Sequence, residues 1–218
     1  MKTGKLILFA FIVILFASCK KDRISGSGTI ITEQRTVINF TKIHASGSTD
    51  VEVRQGVDFK VEVTGYSNLI HYFETKLNNG TLELGYKNDV HVRNDNIKVI
   101  VTLPVLHGLT TSGSGDISTT GIFTGNTNFD CIISGSGSIS IAAGTADQFR
   151  STISGSGNIH ALGMVATNAE ITISGSGNSE ITANNQLKVA IAGSGNVYYF
   201  GTPVITAQIS GSGSVIPR

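Results

Sequence analysis

The chain has 218 residues, with 16 Lys and Arg against 15 Asp and Glu, 26 glycines, three prolines, two cysteines and no tryptophan. A net charge of +1 gives no electrostatic case for a nucleic-acid partner or for attraction to an anionic membrane surface, and two cysteines cannot build a disulfide framework. The length is ample for one core, and glycine without a Gly-X-Y period excludes collagen, so stability must come from packing and backbone pairing.

At the start, Lys2 and Lys5 precede an apolar run of twelve residues, 6–17. That is well short of the roughly 20 residues a membrane-spanning helix needs, which makes the run the apolar stretch of a signal peptide, residues 1–18. The run closes in "LFASC", which resembles a bacterial lipobox and so implies cleavage before Cys19 and acylation of its thiol. The chain would then be held to a membrane by lipid without spanning it, each buried CH₂ contributing about 0.8 kcal/mol, with residues 19–28 as a tether. Cleavage removes Lys2 and Lys5 and leaves 14 basic against 15 acidic residues. The expected location is the cell envelope, as an outer-membrane lipoprotein. The "KKDR" after Cys19 lacks an acidic run that would argue for surface export, so both faces of that membrane stay open.

Residues 29–112 hold "DVEVRQG", "FKVEVTGY", "TLELGYK" and "IKVIVTLP", alternating stretches that predict strands. "NNG" at 78–80 is a turn signal, and "SNLIHYFETKL" has a mixed pattern that fits a short helix or a loop. "HASGSTDVEV" imitates the repeat found further on, with Gly47 in the glycine role. From Gly47 to Gly113 is 66 residues, three intervals of 22, which predicts irregular coils continuing one solenoid; a separate β-sandwich cap is the alternative. The charges concentrate here, since 113–218 contains only three basic and five acidic residues.

From residue 113 the chain repeats. Gly-Ser-Gly begins at Gly113, Gly135, Gly155, Gly175, Gly193 and Gly211, at intervals of 22, 20, 20, 18 and 18, the mark of a stacked architecture. Around each first glycine the apolar residues alternate: Ile133, Ile153, Ile173, Ile191 and Ile209 stand two before it, and Ile117, Ile139, Ile159, Val197 and Val215 four after, with Ser179 the exception. Such period-2 patterning gives a strand, a tight glycine corner, and a second strand facing the same interior. Three positions after the glycine, Asn158, Asn178 and Asn196 can form an amide ladder up the corner, although asparagine is also simply common at turns. Five before it, Asp130, Arg150, Glu170 and Lys188 alternate in sign, as a charge ladder between parallel coils would. The fold expected is therefore all-β, a right-handed β-helix with coils of about 18–22 residues over 29–218, less regular at its N-terminal side and regular over 113–218.

The lipobox, the leader "FTKIHASGSTDVEVRQG" and the serial "SGSG(D/S/N)I" units together resemble the putative auto-transporter adhesin, head GIN domain family of Bacteroidetes, over residues 37–218. The resemblance implies a right-handed β-helix akin to pectate-lyase-like folds, a role in adhesion, and no established catalytic residues.

Other chemistry finds little support. No Gly-Ser-Gly corner is followed by the lysine of a phosphate-binding loop, and only Asp116 follows one where a calcium roll needs an acid every nine residues; no metal or cofactor is expected. Five after the glycine, His160, Glu180 and Tyr198 would stack outward within about 10 Å of each other, two rung spacings, as a possible ligand face. A lone acid beside a histidine is thin support for a polysaccharide-active enzyme. The leading expectation is thus a non-catalytic module binding glycan or protein through its β faces. A self-associating envelope protein is the further alternative, because "SGSGSVIPR" stops inside a repeat without a polar capping unit, which favours end-on association or a cap donated from the N-terminal half.

Overall fold

The computed structural model describes residues 23–218, so the expected signal peptide and Cys19 lie outside the described residues. The strands are β1 (Arg23–Ser25), β2 (Ile30–Arg35), β3 (Lys42–Gly47), β4 (Asp50–Gln55) and β5 (Lys60–Tyr66). After the one-turn helix α1 (Ser67–Ile70) come β6 (Phe73–Asn78), β7 (Thr81–Tyr86), β8 (His91–Arg93) and β9 (Lys98–Leu103). The repeats supply β10 (Gly108–Gly113), β11 (Ile117–Thr120), β12 (Ile122–Gly135), β13 (Ile139–Ser140), β14 (Ala143–Gly155) and β15 (Ile159–Gly175). The last are β16 (Ser179–Gly193), β17 (Asn196–Phe200), β18 (Val204–Gly211) and β19 (Ser214–Pro217).

The molecule is a β-solenoid of stacked parallel coils. Gly47, Gly113, Gly135, Gly155, Gly175, Gly193 and Gly211 lie in one register, each paired with its equivalent in the next rung. The corner explains the glycine. Gly155 takes φ +132°, and a Cβ on it would collide with the Gly135 carbonyl of the preceding rung. That carbonyl accepts from both Ser156 N (2.9 Å) and Gly157 N (3.2 Å), so the corner is cross-linked from rung to rung through backbone alone. Only a residue without a side chain satisfies both the conformation and the close approach.

Inside, the alternating residues stack into columns. Ile133, Ile153 and Ile173 are fully buried, as are Ile117 (1 %), Ile139 and Ile159 on the facing strands. A further column six before the glycine, Phe129, Phe149, Ala169 and Leu187, completes the core, the two rings stacked at 6.2 Å. Two of the polar interruptions answer each other: Ser151 Oγ and Ser179 Oγ are both buried and share a hydrogen bond of 3.2 Å across the interior. Paired in this way, neither hydroxyl carries the cost of an unsatisfied buried group.

The N-terminal half departs from the expected three coils. β3 and β4 pair directly with β10 and β11, Gly47 opposite Gly113, so the intervening residues add no coil between them. The intervening chain instead folds back beneath that rung. β7 and β9 continue the parallel ladder below β3 and β4; β5 then pairs antiparallel with β9 and β2, and β6 antiparallel with β7. This is a cap on the same sheet, neither three coils nor a separate sandwich. The mixed "SNLIHYFETKL" resolves into α1, whose Leu69 and Ile70 are fully buried, followed by β6. The "NNG" turn joins β6 to β7, with Asn79 and Gly80 both at positive φ (47° and 75°). The expected tether also shortens: β1 pairs with β8, and Ser27 N–H donates to Asn68 Oδ1 at 2.9 Å, so residues 23–28 belong to the fold. A cap does come from the N-terminal half, but it closes the near end of the solenoid and leaves β18 and β19 uncovered.

Candidate binding surface

Outward-facing positions on the sheet leading into the corner form three parallel columns. The first carries charge. Asp130, Arg150, Glu170 and Lys188 occupy one register, and Gly108 precedes them. Because Gly108 has no side chain, Lys42 reaches across it from the rung below and binds Asp130 Oδ2 at 3.0 Å. Arg150 lies 3.8 Å from both Asp130 and Glu170 and donates to Asn128 Oδ1 at 3.2 Å. With Arg150 and Glu170 more than half exposed, each such pair contributes about 0–1 kcal/mol. The column orders the rim more than it holds the fold.

The second column runs His44, Thr110, Ile132, Thr152, Thr172, Ala190, Gln208, and the third Ser46, Ser112, Ser134, Ser154, Ser174, Ala192, Ser210. Thr152, Thr172, Ser134, Ser154 and Ser174 are exposed. Their hydroxyls therefore recur at the rung spacing, about 4.8 Å. The result is an uncharged array beside the charged rim, with open hollows of about 290 and 230 Å³ along Thr172, Ala190 and Gln208.

Along the corner, aspartate and asparagine side chains three after the glycine serve the next rung. Asn158 Oδ1 accepts from Asn178 N (3.1 Å) and Nδ2 (3.0 Å), and Asn178 Oδ1 accepts from Asn196 N (3.0 Å) and Nδ2 (3.3 Å). Asp50 and Asp116 act likewise, accepting from Asp116 N (3.2 Å) and Ser138 N (2.7 Å). The residue type needed is an acceptor carried on Cγ, two carbons out from Cα, which is why aspartate and asparagine share the position. Sequence spacing brought out the asparagines, but the aspartates belong to the same device.

His160, Glu180 and Tyr198 are cross-strand neighbours in successive rungs. His160 Nδ1 lies 3.1 Å from Glu180 Oε2, while Glu180 Oε1 accepts from Arg218 Nη1 at 3.0 Å. The Arg218 guanidinium also sits over the Tyr198 ring, 4.7 Å from its centroid. Both carboxylate oxygens and the aromatic face are thereby engaged within the protein, and the Glu180 side chain is only 14 % exposed. The three residues are together, yet the platform a sugar ring would use is occupied by Arg218. Residue spacing carried no signal for Arg218, which lies outside the repeated strand positions.

A second surface feature lies on the cap: an open cleft of about 330 Å³ lined by residues that include His44, Ser46, Glu74, Lys76, Glu83 and Tyr86. Gly85 supplies its floor, where a Cβ would come within 3.2 Å of Ser46 Cβ. Burial and the hydrogen bond it donates to Asp95 (2.6 Å) push the Tyr86 hydroxyl far above its ordinary pKa, so it stays protonated. Among the described residues no cluster of His, Cys, Asp and Glu could hold a metal ion, and no helix is long and apolar enough to cross a membrane.

The family model described as putative auto-transporter adhesin, head GIN domain matches residues 39–203. The chain belongs to this family. Solved structures share the architecture. A crystal structure of a putative adhesin from Bacteroides fragilis superposes with a TM-score of 0.74 at 25 % identity, covering 89 % of this chain and all of that one. A putative lipid binding protein from Parabacteroides distasonis gives 0.60 at 26 % identity, covering 90 % of this chain and all of that one. A putative adhesin from Parabacteroides merdae, at 0.55 and 21 % identity over 90 % of this chain and 99 % of that one, shares the fold. No curated protein sequence matches. The family and these solved neighbours are named as adhesins or binding proteins, and an adhesin head is a cell-envelope component.

Proposed function

We propose that this head GIN domain is a non-catalytic binding module, lipid-anchored through Cys19 in the outer membrane, that takes an extended glycan along its hydroxyl columns. The observation that supports this reading is the register of the second and third columns: Thr152 and Thr172 beside Ser134, Ser154 and Ser174, exposed and repeating once per rung. A polymer with one hydrogen-bonding unit per similar repeat can gain several weak contacts at once, as multivalent binding requires. The hollows beside Thr172 are open to solvent and so do not exclude water from a reacting bond, and Glu180, the best acid candidate, has both oxygens committed to His160 and Arg218.

A glycan array tests the reading directly. Binding to an extended polysaccharide that falls at least about tenfold in Thr152→Lys/Thr172→Lys is expected. Binding confined to proteins, or glycan binding indifferent to those substitutions, overturns it. The same polysaccharides should remain undegraded; turnover lost in Glu180→Ala or His160→Ala would instead make the protein an enzyme. Labelled fatty acid should enter the wild-type chain and fail to enter Cys19→Ser, and equal labelling of the two contradicts the anchor.

A further inference from the structure

Among the described residues, β18 is paired on one side only, by β16, and β19 only by β17. The residues of β18 that continue the core columns are consequently bare. Ile205 is 39 % exposed and Ile209 43 %, whereas Leu187 and Ile191, directly beneath them, are 0 % and 3 % exposed. An open strand edge carrying apolar residues is a template for further pairing. The opposite end differs: the edge strands β2 and β6 carry the ion pairs Arg35–Glu33 (2.8 Å) and Lys76–Glu74 (2.6 Å). β18, "VITAQISG", has no charge and no proline. Charged edges at one end and a bare edge at the other make head-to-tail stacking unfavourable and leave like-to-like pairing.

The hydrogen-bonding parity of the strand specifies how two copies meet. Asp130 N–H donates backward to His107 O, so residues at odd distances before the glycine address the preceding rung. Ile205, Ala207 and Ile209, at even distances, therefore turn their N–H and C=O groups toward the open edge. An antiparallel partner centred on Ala207 pairs all three: Ile205 with Ile209, Ala207 with Ala207, and Ile209 with Ile205. The same register places Ile beside Ile across the extended core and the small Ala on the two-fold axis.

We propose that β18 is a homophilic docking edge, through which two copies of this chain join antiparallel in a closed two-fold dimer. The dimer goes beyond the glycan reading and does not depend on it. It has one functional consequence that does rest on the proposed anchor. Arg23 enters the fold at the cap, four residues after Cys19, while β18 lies at the far end. Pairing through β18 puts the two anchors at opposite ends of the dimer, so it links facing membranes. The open edge is then an adhesive tip, and its ligand is a second copy.

The test is oxidative cross-linking of the full chain in detergent. Paired Cα atoms across the axis sit about 5.5 Å apart, within disulfide reach, so Ala207→Cys is expected to give a covalent dimer in most molecules. Thr206→Cys, which faces Gln208 of the second copy, is expected to give little. Cys131, fully buried, does not interfere. Equal cross-linking of the two variants, or none, overturns the register and the proposal. Introducing Ile209→Lys into Ala207→Cys should cut the dimer at least about tenfold by placing a charge in the joined core. Vesicles carrying the wild-type chain should cluster and those carrying Ile209→Lys should not; cross-linking without clustering overturns the membrane-bridging arrangement. Glycan binding measured on the same variants reports separately on the hydroxyl columns, which Ile209 does not enter.

Discussion

At the cap, the parallel ladder ends against antiparallel strands, with β5 on β9 and β6 on β7, and Leu69 and Ile70 plug the interior. In the repeats, the glycine corner and the columns leading into it stay in register, while the rest of each rung shortens or bulges. The cap is built from varied side chains and holds most of the charge, and its glycines answer to single local needs. The coils are built from one corner used over and over, so a fault at that corner meets the backbone of a neighbouring rung. Diversity closes a solenoid; repetition extends it.

Glycine substitutions should break this contrast most sharply. Gly155→Ala combines a forbidden φ with a collision against the Gly135 carbonyl, and is expected to cost about 3 kcal/mol or more. Gly80→Ala, at φ +75° with nothing within 4 Å of the new Cβ, should cost only about 1–2 kcal/mol. Denaturant melts of the two variants measure the gap; equal losses would mean that rung stacking does not constrain the corner.

Next in size is Asn178→Ala. It removes the acceptor for Asn196 N and Nδ2 and one donor to Asn158, and should cost about 1–2 kcal/mol, with faster amide exchange at Asn196 as its local signature. Unchanged exchange there would show that water replaces the ladder without penalty. Arg150→Ala should lower stability by less than about 1 kcal/mol, and the difference should shrink further in high salt. A larger, salt-insensitive loss would make the charge column structural.

The smallest effect concerns Cys131. Burial, with Asp130 nearby, pushes its thiol well above the ordinary range. The fold therefore holds a proton that the unfolded chain releases near pH 8.5, so stability should decline as pH rises past that point. At pH 8 the native thiol should resist alkylation and react only on unfolding. Rapid labelling of the native protein would place Cys131 outside the core.

Much of the solenoid was legible because its signals are local and repeated. Ile133 and Ile139 flank one glycine corner at the same spacing as Ile153 and Ile159 flank the next, and that alternation admits only strands. The cap was harder to read. Three intervals of 22 between Gly47 and Gly113 suggested coils, but spacing cannot tell a chain that advances three rungs from one that folds back and returns. The direction of β5 and β6 is set by long-range pairing that leaves no period in the sequence. The hydroxyl columns were implicit in the repeat, whereas the Arg218 contacts to Glu180 and Tyr198 come from a residue outside it.

The central claim is that equivalent positions lie directly over one another, including across the long excursion between Gly47 and Gly113. Ser46 and Ser112 are register partners in adjacent rungs. A Ser46→Cys/Ser112→Cys variant should therefore form a disulfide between these positions on mild oxidation, identified by peptide mass mapping. Three intervals of one coil each would instead hold the two residues three rung spacings, about 14 Å, apart, beyond the reach of that bond, and failure of the cross-link in folded protein would contradict the account.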